Sequence, residues 1–309
     1  MSILMHATVA ITYIGLGWWA WRGASLEVPA QARFAHAELA EALGFQLPLD
    51  APALGWLERL ILLITWVAHG LLLAGTMFRP EGLQFGFALA LSATMWLAVA
   101  VYWVESLYFG LASMRLLVLP IAAICVFLPA WFPGALTPVA LEKPALEFHL
   151  LVSLAAYGLL TIVAIHAFLM AALDRWLHGS ETAAGTQDVQ VPVSLMRRVE
   201  RVVLRQLPPL MTMERLLFRL LFAGFALLTL TVVSGLVFSE EVFGRAFRFE
   251  HKTIFTLLSW LFFGGLIFGR LVYGWRGRRA LRWTLAGFVT LLLGYVGSRF
   301  VLEVILHRT

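Results

Sequence analysis

Phe249–Trp283 reads FEHKTIFTLLSWLFFGGLIFGRLVYGWRGRRALRW, and its two ends differ in kind. His251, flanked by Glu250 and Lys252, opens an apolar run of about twenty residues that ends in Arg276, Arg278, Arg279 and Arg282. At a helical rise of ~1.5 Å per residue, such a run crosses the ~30 Å hydrocarbon core of a bilayer. A cluster of arginines marks the cytoplasmic end of a span, so His251 is expected at the opposite water–lipid boundary.

The pattern recurs along the chain. Of 309 residues, 61% are hydrophobic and 13% charged, whereas a soluble protein keeps roughly a quarter of its residues charged. The sequence therefore predicts an all-α polytopic transmembrane bundle, one integral membrane domain over residues 1–309. About eight spans are expected: Ile3–Trp21, Trp56–Met77, Phe85–Val104, Leu111–Trp131, Phe148–Leu173, Leu216–Phe238, Thr253–Tyr273 and Trp283–Leu306. The net charge of +5 fits loop arginines facing anionic lipid. Nucleic acid is not an expected partner, because no soluble domain is available to carry a basic face. Cys125 is the sole cysteine, which excludes disulfides, zinc-ribbon spacing and covalent haem attachment through Cys-x-x-Cys-His. The first apolar segment lacks a basic leader and a small-residue cleavage site, so it is expected to be retained.

Arginine placement sets the expected orientation. Arg175, Arg197, Arg198, Arg201, Arg205 and Arg215 fall in the fifth loop, and the Arg276–Arg282 cluster in the seventh. The second, fourth and sixth loops carry far fewer: Arg79, then Lys143, then Arg245, Arg248 and Lys252. Odd-numbered loops are thus expected inside and both termini outside, in the periplasm of a Gram-negative cell. Within the fifth loop, Leu195, Val199, Val202 and Val203 recur at helical spacing opposite arginines, the pattern of an amphipathic helix lying on the inner leaflet. Pro208 and Pro209 stop it.

Ionisable residues in a lipid span are costly and become functional candidates by default. His36 and His178 lie in loops, and His6 and His166 suit structural, hydrogen-bonded roles. His149 opens the fifth span at its outer end with Ser153 and Tyr157 at i+4 and i+8 on its face. His251 opens the seventh span and His307 closes the eighth, above an i+4 stripe of Tyr295, Arg299 and Glu303. His69 lies about 20 Å along the second span. Any one boundary histidine is explained as a helix-end residue, but three from three helices at one depth form a candidate site. Neutral imidazole is an axial ligand of haem iron. Glu303 could raise ligand basicity from behind, and the Arg299 guanidinium matches a haem propionate. An ion- or proton-transport reading needs acids inside the core, and Glu303 is nearly the only one the expected spans contain.

At these residues the chain resembles a known family. His149 with VSLAAYGLL, the Pro208 entry PPLMTMERLLF, HKTIFTLLSWL, YGWRGRRA and GYVGSRF are similar to the cytochrome c assembly family, the haem-handling membrane proteins of the CcsA type. The likeness is greatest to its short inner-membrane branch, YpjD-like and HemX-like, and strongest over residues 146–308. The resemblance implies a b-type, non-covalent haem, with His149 as the first external ligand, His307 as the second and His69 as the first intramembrane haem histidine. The chain departs from the haem exporters in two places. Ser239–Glu250 contains no tryptophan, and Phe268 and Arg270 stand where a second intramembrane histidine is expected. His251 falls where the missing loop signature would end.

The expected function is haem binding and handling in cytochrome c assembly at a bacterial inner membrane, without catalysis. The expected partners are the lipid bilayer and proteins of cytochrome c assembly or haem synthesis. Two alternatives remain: a membrane regulator of tetrapyrrole synthesis acting by protein contact, and a transporter of another small solute. A reporter fused after Arg205 should register cytoplasmic and one after Thr309 external; the reverse pattern would move all three boundary histidines to the inner face.

Overall fold

A backbone crossing lipid must satisfy its own N–H and C=O groups, and a helix does so within one segment. The computed structural model describes residues 2–26, 55–79, 82–108, 112–137, 144–183, 210–237 and 251–306. They form α1 (Ser2–Leu26), α2 (Trp56–Met77), α3 (Phe87–Tyr108), α4 (Ala112–Trp131), α5 (Pro144–Ala183), α6 (Leu210–Val237), α7 (His251–Tyr273) and α8 (Gly277–Leu292). Among the described residues, helices α1 to α7 are the seven long and apolar enough to cross a membrane, and the protein is a polytopic helical membrane protein. The run expected as the eighth span is not among these seven and takes a different form. Helix α8 starts at Gly277 and continues through a π turn, Leu293–Gly297, a short α-helical stretch, Ser298–Phe300, and a second π turn, Val301–Ile305. The amphipathic helix expected around Leu195–Val203 lies outside the described residues.

Helix α5 occupies the centre, packed against α3, α6 and α8; α1 packs on α4 and α2, and α7 closes on α8 and α6. Lipid tails are as apolar as leucine, so helices associate by close approach rather than by escape from water. Small residues permit that approach. A Cβ on Gly158 of α5 would come within 2.5 Å of Leu97 of α3, and one on Gly224 of α6 within 2.7 Å of Leu160 of α5. Side-chain hydrogen bonds to neighbouring helices add to it: Trp260 Nε1–H donates to Thr229 Oγ1 at 2.9 Å, and the buried Ser259 hydroxyl donates to Gly287 O at 2.9 Å.

The contacts define two ends. Glu58 of α2 meets Arg115 of α4 at 3.0 Å, Glu214 of α6 meets Arg270 of α7 at 2.8 Å, and Asp174 of α5 meets Arg278 of α8 at 2.5 Å. These pairs lie where α2, α4, α6 and α8 begin, the arginine end. At the opposite, histidine end, Phe87 of α3 touches Phe132 beyond α4 and Phe300 of the last helical stretch. There β1 (Phe78–Arg79), β2 (Gly82–Phe85) and β3 (Ala135–Thr137) form a small antiparallel sheet in the order β1-β2-β3. It ties the α2–α3 connection to the segment after α4 and satisfies backbone groups that leave the helices.

Two differences from the expected spans follow from side-chain chemistry. Helix α3 runs past Val104 to Tyr108, which brings Glu105 inside the packed bundle; an acid outside the expected spans therefore lies in the core. Helix α6 begins at Leu210, ahead of Arg215 and Arg219, because arginine stems can lie along apolar surface while their heads reach water.

A reciprocal clasp joins α2 to α3. Trp66 Nε1–H donates to Trp96 O at 2.9 Å and Trp96 Nε1–H donates to Trp66 O at 3.0 Å, with the rings stacked 4.8 Å apart at 4°. Gly70 leaves room for it, since a Cβ there would lie 2.8 Å from Trp96 Nε1, whereas Gly75 has open space. Gly70→Ala should therefore lower thermal stability in detergent by on the order of 1–3 kcal/mol, and Gly75→Ala should leave the unfolding midpoint near that of the parent.

Candidate functional site

His149 stands on the second turn of α5 at the histidine end, half-buried. Its Nδ1 lies 2.8 Å from Ser234 Oγ on α6, and the Ser234 hydroxyl donates to Thr231 O at 3.1 Å. A hydroxyl has one proton. With that proton committed to Thr231, the Ser234 oxygen accepts from His149 Nδ1–H, and Nε2 keeps its lone pair. The hydrogen bond made by one ring nitrogen thus decides what the other can do. Gly235 completes the seat: a Cβ there would meet His149 Cε1 at 3.2 Å, so its absence lets the imidazole lie against α6. The side chain of Ser153 faces inward along the same helix and donates to His149 O at 2.6 Å.

Two other elements reach this end. Lys252, the second residue of α7, is near enough for its charge to act on His149. The first π turn packs on the same part of α7, where a Cβ on Gly294 would meet Phe255 Cβ at 3.2 Å and Lys252 O at 3.5 Å. Tyr157, expected on the His149 face, sends its hydroxyl to Leu291 O at 3.1 Å. It therefore pins the last turn of α8 just before the backbone widens. Arg299 is half-buried between the two π turns. Widening to i→i+5 bonds interrupts the i+4 spacing expected for an unbroken α-helix over this segment. The helix start at His251 and the backbone at Glu303 fall at this end too, while His307 lies outside the described residues.

His69 belongs elsewhere. It is fully buried between α1, α2 and α3, with Tyr13 Oη 3.3 Å from Nδ1 and Ser92 Oγ 2.9 Å from Nε2. Both ring nitrogens are engaged, so it works as a polar rivet. His166 is also fully buried, its Nδ1–H donating to Ile162 O at 3.0 Å. Among the described residues no group of three or more His, Cys, Asp or Glu side chains gathers as a metal site.

The structure thus places His149, the start of α7 at His251 and the π-turned segment with Arg299 at one end of the bundle, and His69 elsewhere. Sequence reasoning missed Ser234 and Gly235. The available signal was a serine–glycine pair inside an apolar span, the residue types that bring transmembrane helices close and hydrogen-bond between them.

A family model described as cytochrome c assembly protein matches residues 55–306. The inner membrane protein YpjD of Escherichia coli K12 is 30% identical over 193 residues, covering 61% of this chain and 65% of that protein. The cytochrome c biogenesis protein CcsA of Gloeobacter violaceus is 27% identical over 124 residues, covering 40% and 37% respectively. That of Prochlorococcus marinus MIT 9515 is 32% identical over 89 residues, covering 29% and 28%. The chain matches less than two thirds of the length of each of these relatives. No solved structure matches significantly.

Nitrogen-15 NMR of histidine-labelled protein should show His149 protonated at Nδ1 and bare at Nε2. Ser234→Ala should turn that single tautomer into a mixture, and Gly235→Ala should displace the ring while keeping the tautomer. A proton on Nε2 of the parent protein would contradict the seat described.

Proposed function

Because the chain belongs to the cytochrome c assembly protein family, we propose that it handles haem for cytochrome c assembly, with His149 as a ligand to haem iron at the histidine end. The observation that carries this reading is the Ser234 hydroxyl, which holds Nδ1–H of His149 and leaves Nε2 with its lone pair. Haem iron takes neutral imidazole as an axial ligand, and its redox chemistry belongs to the cofactor. The contribution of the chain is to fix a tautomer, orient a ring and supply counter-charge.

The donor set suits those tasks. Ser234 acts as the outer hydrogen-bond partner that metal-bound histidines commonly have. Lys252 and Arg299 place cationic groups at the same end, suited to propionate carboxylates. Tyr157, by holding Leu291 O, positions the π-turned segment that carries Arg299 and Glu303, and π turns recur at functional sites. His307 is proposed as the second ligand, with His251 its competitor. His69 is the weaker candidate, because iron would have to displace its contact with Ser92.

The proposed setting is a bacterial inner membrane, the location named for the YpjD relative, with the histidine end and both termini outside. The proposed partners are proteins of cytochrome c assembly or haem synthesis.

Haem absorbance of the full chain, purified gently from haem-replete cells, tests the reading. His149→Ala should lower haem occupancy by about tenfold or more, equivalent to at least ~1.4 kcal/mol of binding, and exogenous imidazole should restore part of the spectrum. His36→Ala and His178→Ala should leave occupancy unchanged. His307→Ala and His251→Ala identify the second ligand, since two residues serving one metal give a double mutant far from additive. Parent protein without haem, or full haem in all three single variants, would overturn the reading and favour the regulator.

A further inference from the structure

A second set of buried polar groups lies toward the arginine end, where α2, α3, α4 and α5 meet. Glu105 of α3 faces His166 of α5, with Oε2 3.9 Å from Nε2 and side chains only 8% and 0% exposed. A backbone carbonyl can only accept, so the bond to Ile162 O places the ring proton of neutral His166 on Nδ1. The lone pair on Nε2 therefore points at a carboxyl group. Neither Glu105 oxygen nor His166 Nε2 has a hydrogen-bond partner among the described residues.

The surrounding charges are committed elsewhere. Arg115 of α4 pairs with Glu58 of α2 at 3.0 Å, and Arg59 of α2 donates to Ser106 O at 3.4 Å. Tyr102 lies one turn earlier on α3. On the helices against the far side of α5, Glu214 of α6 pairs with Arg270, and Arg278 of α8 pairs with Asp174.

We propose that Glu105 and His166 together form a proton-binding site inside the bundle, loaded from the arginine end. An ionised Glu105 facing a lone pair would be an uncompensated charge out of water, the arrangement proteins avoid by taking up a proton. One proton removes the conflict: it binds a Glu105 oxygen, the pair goes from net −1 to neutral, and the new O–H donates to His166 Nε2. At 3.9 Å the partners stand beyond direct hydrogen-bond range, a gap closed by a side-chain rotation or by one bridging water. The source is water at the nearby surface, because Glu105 lies three residues before the end of α3 at Tyr108, ~4.5 Å of helix. The site is separate from His149 and does not depend on haem.

Infrared spectroscopy of the full chain in lipid nanodiscs tests this through the carbonyl stretch of a protonated carboxylic acid. At neutral pH the parent protein should show such a band, and carbon-13 labelling of glutamate should shift it. Glu105→Gln should abolish it, His166→Gln should move it, and Glu214→Gln should leave it unchanged. Should Glu105→Gln fail to fold, the labelled parent and the His166→Gln variant decide the matter. The proposal is overturned if the parent lacks the band at neutral pH, if the band survives Glu105→Gln, or if His166→Gln leaves it in place.

Discussion

Close approach between helices in a solvent as apolar as their own side chains is the constraint on which this bundle depends. It is met wherever α5 passes a neighbour. Gly158 lets Leu97 of α3 in on one side, and Gly224 of α6 accepts Leu160 on the other. With α5 seated that tightly, side chains far apart in sequence, such as His149 and Ser234, come within hydrogen-bonding distance. Polar contacts follow from the packing, and they in turn fix which rotamers and tautomers the packing allows.

One helix carries chemistry at two depths. His149 opens α5 near one surface, and His166 lies seventeen residues further along, about 25 Å of helix. Both rings hold their proton on Nδ1 through a partner, a serine in one case and a carbonyl in the other. Their Nε2 atoms meet different surroundings. That of His149 belongs to a half-buried ring with Lys252 near it, while that of His166 faces a buried acid. The same side chain is thereby suited to a metal at one depth and to a proton at the other.

Most of the architecture was legible because lipid imposes a simple rule, a long apolar run for each crossing. The arginines at Arg276–Arg282 and around Arg215 read as marking one face of the membrane, and in the structure they stand at one end of the bundle, where ion pairs gather. Residues whose meaning depends on a partner helix were not legible. Glu105 reads as the end of a span because a glutamate in lipid is costly, yet the packed bundle buries it opposite His166. Ser234 and Gly235 are ordinary until α5 is set against α6. The hydroxyl of Tyr157 points to α8 for the same reason. The strands β1 to β3 are too short to register as alternation, and a π turn has no residue signature, since it differs from an α turn only in which carbonyl each N–H chooses.

The two π turns make the histidine end of the last helical run a matter of counting. Each takes up one residue more than an α turn would, and one residue is about 100° of helix. Leu293–Gly297 and Val301–Ile305 together swing whatever follows by about 200°, nearly to the opposite side of the cylinder. The direction of the chain beyond Ile305 therefore rests on the number of residues in these segments more than on their identity. A substitution there exchanges one side chain, whereas deleting a single residue would rotate everything after it by about 100°.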